Sequence, residues 1–254
     1  MSFFASADAY GEFMGRFSEP LAGRFVELLR VGPGRRVLDV GCGPGALTRQ
    51  LVNQVGSANV TAVDPSEPFV DAVRGRLPEV DVQVASAEHL PFGAGTFDVA
   101  AAQLVVHFMR DPVAGLAEMG RVTAPGGVVA ACVWDQAGGT GPLSLFWDVV
   151  HAIDPLEHGE ADLPGARKGH LGELFAQAAL TDIEETSLTV EASFSSFDEW
   201  WHPYTLGVGP AGAYVAALNE EGRDELRREC AERLPQGAFT LAATAWCATG
   251  TPSG

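Results

Sequence analysis

Val37-Leu38-Asp39-Val40-Gly41-Cys42-Gly43-Pro44-Gly45 is the stretch on which the fold turns. Aliphatic, largely β-branched residues lead into it, and a helical pattern starting near Ala46 leads out. That order predicts a strand, a tight glycine turn and a helix N-terminus in succession. Glycines in such a turn permit φ > 0 and let a ligand approach the main chain closely. The helix start behind it offers N–H groups with no intrahelical partner.

Two classes of adenosine ligand fit the turn. As G-x-G-x-x-G/A, the residues Gly41, Gly43 and Ala46 match a dinucleotide fingerprint, and Asp64 stands at the end of the next strand, where a ribose-binding carboxylate belongs. Asp39 separates the two. A carboxylate just before the first glycine repels a pyrophosphate, and the turn holds no basic residue to compensate. S-adenosylmethionine, with an ammonium and a sulfonium, suits that carboxylate better.

Outward from the turn, strands and helices alternate: strand 36–40, helix 45–55, strand 59–64, helix 67–77, strand 81–85. This rhythm predicts a parallel sheet with helices on both faces. Ligands of such sheets bind at the carboxyl ends of the strands, beside the point where strand order reverses. Asp39, Gly41, Asp64 and the segment after Val84 all fall at carboxyl ends, so they are expected in one crevice. A helical pattern at 19–29 carries Leu21, Phe25, Leu28 and Leu29 for packing on the sheet. A further strand at 97–102 leads into Gln103–Phe108, and Asp111 opens a helix that Pro125-Gly126-Gly127 ends at a turn into strand 128–134.

Composition bounds the rest. The 254 residues are 46% hydrophobic, ample for one α/β core with an added lobe. No run reaches the roughly 18 apolar residues of a membrane span, and Met1-Ser2-Phe3-Phe4 lacks the pattern of a signal peptide. Cys42, Cys132, Cys230 and Cys247 show neither paired nor zinc spacing, so no metal is expected and a reducing cytoplasm suits them. The net charge of −17, from 33 acidic and 16 basic side chains, opposes a nucleic-acid partner. A small, uncharged or cationic molecule is the expected partner.

The stretch 37–45 resembles motif I of the class I S-adenosylmethionine-dependent methyltransferases in its L-D-x-G-C-G-x-G form. The resemblance continues through Val63-Asp64-Pro65-Ser66, Leu90-Pro91-Phe92, Thr96-Phe97-Asp98-Val99 and Arg121-Val122-Thr123-Ala124-Pro125-Gly126-Gly127, covering about residues 10–135. It is nearest the small-molecule branch that includes ubiquinone/menaquinone-type methyltransferases. It implies a Rossmann-like, doubly wound α/β sheet of seven strands, mostly parallel with an antiparallel last strand. It also implies an N-terminal helical lid segment over 1–34 and a Rossmann-like domain over 35–192 and 236–254. A helical cap over 193–235 is expected between the last two strands.

The cofactor implied is S-adenosyl-L-methionine, with S-adenosyl-L-homocysteine as product, held by Asp39, Gly41, Cys42, Gly43 and Gly45 at the turn. Asp64, followed by Pro65, is expected on the ribose hydroxyls, with Ser66 left to cap the next helix. The family usually has Gly-Asp-Ala-Glu where this chain has Ala85-Ser86-Ala87-Glu88. Ser86 replaces the residue that reads the adenine amino group, so that contact is weaker, moved to Glu88 or carried by water, and Ala87 offers its N–H. Gln103 falls at the methionine end. Tyr10 and Arg16 belong to a segment that folds over the ligands, and Arg16 is expected on the methionine carboxylate; a solvated arginine is the plain alternative. His107 is the candidate catalytic group, since an ordinary imidazole exchanges protons near neutral pH. Trp134, Trp147, Trp200 and Tyr204 are candidate walls of an acceptor pocket, or else they simply hold the cap on the domain.

The activity implied is methyl transfer to a small-molecule acceptor by in-line displacement, driven by proximity and desolvation. An enzyme that keeps the cofactor site for decarboxylation or cyclisation, a nicotinamide-dependent oxidoreductase, and a non-catalytic regulatory partner remain as alternatives.

Overall fold

The computed structural model of the chain describes residues 7–253, with side chains from residue 11 onward. Helix α1 (Ala7–Leu29) precedes β1 (Val37–Val40), α2 (Ala46–Val55), β2 (Val60–Asp64), α3 (Glu67–Arg76) and β3 (Asp81–Val84). After β4 (Phe97–Gln103), α4 (Pro112–Val122) and β5 (Thr123–Trp134) come α5 (Ser144–Ile153), α6 (His170–Gln177) and β6 (Leu180–Phe194). Three helices, α7 (Phe197–Trp201), α8 (Gly209–Ala217) and α9 (Glu220–Arg233), then lead to β7 (Phe239–Pro252).

The strands form one seven-stranded sheet in the order β3-β2-β1-β4-β5-β7-β6. The first five neighbours pair parallel, and β7 runs antiparallel to both β5 and β6. Parallel strands need crossover helices, and these cover both faces. Side chains accordingly alternate between two cores. Val99 and Ala101 of β4 join the core under α1, α2, α3 and the helices between β6 and β7. Ala100 and Ala102 join the core under α4 and α6. All four residues of β1 are buried, as a central strand covered on both faces requires. The strand order reverses between β1 and β4, and their carboxyl ends open the crevice there.

Two boundaries differ from the sequence reading. The N-terminal helix begins at Ala7 rather than near residue 19 and carries Pro20 in its interior. Its apolar face, with Leu21 and Phe25 fully buried, is long enough to hold the helix through that break. Pro125-Gly126-Gly127 does not separate α4 from the strand, because β5 already starts at Thr123. The pairing jumps from Phe97↔Thr123 to Val99↔Val128, so the Pro-Gly-Gly segment bulges out of β5.

Candidate functional site

A cavity of about 890 Å³ occupies the crevice. The turn after β1, the end of β2, the loop after β3 and the end of β4 supply its floor and walls. Ser18 of α1 adds to them, as do two residues from beyond residue 136, Leu163 and Pro210.

The turn is held from below. Gly41 and Cys42 both donate their N–H groups to the carbonyl of Val63, at 2.7 and 2.9 Å. Gly43 donates its N–H to Oδ2 of Asp64 at 2.9 Å, and Ser66 donates its N–H to Oδ1 of Asp64 at 2.8 Å. Asp64 therefore clamps the β1 turn to the start of α3. Each carboxylate oxygen keeps further lone-pair capacity for a ligand hydroxyl. Burial raises the Asp64 carboxyl from its ordinary range, partly offset by the N–H groups of Ser66 and Gly43. Ser66 does occupy the cap position of α3, but its hydroxyl accepts no backbone N–H of the helix, while its own N–H goes to Asp64.

Asp39 lies at the base of the crevice and is 1% exposed. Thr48, the one polar residue on the buried stripe of α2, donates its hydroxyl to Oδ2 at 2.6 Å. The other oxygen, Oδ1, is buried with no donor. Burial pushes this carboxyl up to about 7; Thr48 lowers it, and the nearby Asp64 charge raises it. Gln103 repeats the pattern. Its Nε2 donates to the carbonyl of Ser18 at 2.9 Å, tying α1 to the end of β4, while its Oε1 is buried and unpaired. A buried acceptor without a donor is costly, and here two of them lie in one cavity wall. A ligand bearing an ammonium or other N–H donors would satisfy both, whereas a pyrophosphate would face Asp39 and Asp64 with no cation between. This set of acceptors fits an aminoacyl-type adenosine ligand.

Pro65, Ser86, Ala87 and Glu88 line the same cavity. Oε1 of Glu88 accepts the N–H groups of Arg110 at 2.9 Å and Asp111 at 3.4 Å, fixing the loop after β3 to the start of α4. Partial burial raises the Glu88 carboxyl, but these N–H groups, with its own and the Ser86 hydroxyl, outweigh it and leave the group lowered. Its contact with a ligand is thus limited to whatever lone pairs the backbone leaves.

His107 also lines the cavity, in a short turn at Val106–Phe108. Burial pushes its imidazole down to about 3, so the ring does not exchange protons near neutral pH as an ordinary histidine does. Its Nδ1 is buried without a partner, and its ring lies 3.8 Å from that of Phe108, centre to centre.

Five expected contacts fall elsewhere. Arg16 does not line the cavity. Its guanidinium pairs with Glu199, donates to the carbonyl of Ser193 at 3.0 Å and lies over the Phe194 ring at 5.3 Å. Three partners at the β6–α7 junction engage the guanidinium. Trp134, Trp147, Trp200 and Tyr204 are not cavity walls either; all four are buried in the main core. Tyr204 stacks on Phe146 at 4.5 Å, and Trp147 donates its indole N–H to the buried Glu160 at 2.9 Å. These rings anchor the helices between β6 and β7 to the sheet. The side chain of Tyr10 lies outside the described residues.

Ser18, Thr48, Val105, Leu163 and Pro210 were not foreseen. Thr48 was legible as a hydroxyl on an otherwise apolar helix face. The others are isolated residues whose sequence context carries no signal.

Residues 38–131 match the family model described as a methyltransferase domain. An uncharacterized methyltransferase of Schizosaccharomyces pombe is 35% identical over 120 residues, covering 40% of this chain and 43% of the relative. A malonyl-[acyl-carrier protein] O-methyltransferase of Salmonella typhimurium is 36% identical over 140 residues, covering 54% and 53%. The chain thus spans about half the length, or less, of the curated relatives it matches. A solved structure described as a SAM-dependent methyltransferase of Thermotoga maritima shares the fold with a TM-score of 0.59. It is 18% identical, with 97% of this chain and 96% of that one covered.

Proposed function

We propose, on the premise that residues 38–131 form a methyltransferase domain, that this protein transfers a methyl group from S-adenosyl-L-methionine to a small-molecule acceptor. The bound cofactor would supply a sulfonium methyl for in-line displacement. One observation carries the reading: the buried, unpaired Oδ1 of Asp39 and Oε1 of Gln103 in the same cavity wall, at the turn where an ammonium group fits.

Placement around the cavity supports the remaining roles. Gly41, Cys42, Gly43 and Gly45 form the bend over which the ligand lies, and Asp64 and Pro65 face its ribose. Ser86, Ala87 and Glu88 border the adenine side. Leu163 and Pro210 add apolar surface to the lining, which supports exclusion of water from the reacting groups. Holding the acceptor atom and methyl in near-attack contact contributes roughly 7–11 kcal/mol to such a reaction, so no side chain need exchange a proton. The carboxylates around the cavity weigh against a nicotinamide dinucleotide. Free buried cysteines support a reducing compartment such as the cytoplasm. No helix among the described residues is long and apolar enough to cross a membrane.

Calorimetry with S-adenosylhomocysteine tests the reading directly. Saturable binding is expected, and Asp64→Ala should weaken it by roughly 1–3 kcal/mol. Absence of heat with the parent protein, or tight binding of NADH instead, would overturn the assignment.

A further inference from the structure

We propose that His107 is a hydrogen-bond donor through Nε2, and that the acceptor molecule is uncharged and presents an oxygen to it. The proposal rests on the cofactor reading above only for the word acceptor; the position of the imidazole proton is argued from geometry.

A neutral imidazole carries its proton on one nitrogen and a bare lone pair on the other. Nδ1 of His107 is buried and unpaired. A proton there would leave a buried N–H with no acceptor, a rarer and costlier condition than an unused lone pair. The proton therefore belongs on Nε2. That nitrogen is not among the buried unpaired atoms, and among the described residues it makes no hydrogen bond. His107 lines the cavity, so a donor without a partner stands in the cavity wall. Burial is the whole cause of the lowered imidazole pKa, with no charged neighbour contributing, so the ring stays neutral and its N–H stays in place across the physiological range.

The surroundings specify the partner. Leu104, Val105, Phe108 and Met109 flank His107 in sequence and line the same cavity, as do Leu163 and Pro210. Besides His89, the other acidic and basic side chains lining the cavity are the carboxyl groups of Asp39, Asp64, Glu88 and Asp111 and the guanidinium of Arg110. This balance disfavours a carboxylate or phosphate on the acceptor. An oxygen that accepts from Nε2–H without a formal charge, such as a ketone or amide carbonyl, fits both conditions. A donor on the reacting atom would lower its nucleophilicity, so the held oxygen is a second group that orients the molecule. His107 is thus a specificity-determining residue and not a general base.

The full chain labelled with ¹⁵N-histidine and saturated with S-adenosylhomocysteine provides the test, with acetophenone and benzoate as probes. His107 should show the Nε2–H tautomer from about pH 5.5 to about pH 8.5 without titrating. Acetophenone should shift its resonances, and benzoate should not. His107→Leu should weaken acetophenone about tenfold and leave S-adenosylhomocysteine binding unchanged, while His107→Asn, which keeps a side-chain N–H, should recover part of the loss. A proton on Nδ1, a midpoint near neutrality, an acetophenone response absent from the parent protein, or benzoate binding as well as acetophenone would overturn the proposal. The tautomer is read on the parent protein, so a variant that fails to fold leaves the test intact. If S-adenosylhomocysteine does not bind but the Nε2–H tautomer is found, the cofactor reading fails and the donor assignment stands.

Discussion

A β-carbon on Gly41 would lie 2.5 Å from both methyl carbons of Val105, so the turn after β1 and the turn after β4 occupy one another's space. Gly41 has φ +72°, and Leu104, just before Val105, has φ +61°, a left-handed conformation that a branched residue adopts only when its surroundings impose it. Leu104 donates its N–H to the carbonyl of Cys132 at 2.8 Å, which holds the strained residue in the sheet and turns Val105 onto Gly41. Gly41→Ala should cost roughly 2–4 kcal/mol of stability from overlap and backbone strain together. Adding Val105→Ala should recover the overlap and leave about 1–2 kcal/mol of strain. Thermal unfolding of Gly41→Ala, Val105→Ala and the double variant checks this, and full recovery in the double variant would show that the backbone conformation contributes nothing.

Asp39 should trade stability for binding. Its carboxyl is held at about 7 in the fold against 3.8 in a free chain, so the folded protein retains a proton between those values. The stability this contributes is fully present below the unfolded value and is lost as pH rises through the folded one. Asn carries no such loss. Asp39→Asn should therefore stabilise the ligand-free protein progressively with pH, by roughly 1–4 kcal/mol above neutrality, while weakening S-adenosylhomocysteine. Melting curves at acid and alkaline pH decide it; an equal shift at both would be inconsistent with a raised carboxyl.

Trp147→Phe removes the indole N–H that Glu160 accepts at 2.9 Å. Burial already raises Glu160, with Trp147 opposing it. Losing that donor raises the carboxyl further, so the penalty, about 1–3 kcal/mol, should grow as pH rises and ionises the group in the unfolded chain. S-adenosylhomocysteine affinity should not change, because Trp147 does not line the cavity. A loss of affinity without a loss of stability would return Trp147 to the pocket.

Arg16→Gln should change stability by about 1 kcal/mol or less, since its pair with Glu199 is partly exposed, at 41% and 31% for the two side chains. Cofactor affinity should stay within about twofold. A drop of about tenfold or more would mean that Arg16 leaves Glu199 for the ligand on binding.

Much of the site was legible because it is local. Asp39, Gly41, Gly43 and Asp64 sit at strand ends fixed by hydrophobic periodicity, and a parallel sheet brings strand ends together whatever the loops do. The aromatics were not legible. Whether Trp200 or Tyr204 faces a ligand or a core depends on how the helices between β6 and β7 sit on the sheet, and composition is the same in either case.

By itself, the sequence determined the alternation of strands and helices, the glycine bend and the carboxylates at its two ends, because each depends on neighbours a few residues apart. Only the tertiary structure decided that Thr48 covers one oxygen of Asp39 and leaves the other bare, that Arg16 belongs to Glu199, and that Leu163 and Pro210 line the cavity. Those outcomes are competitions between partners far apart in the chain, and they are settled by packing distance, on which residue order is silent.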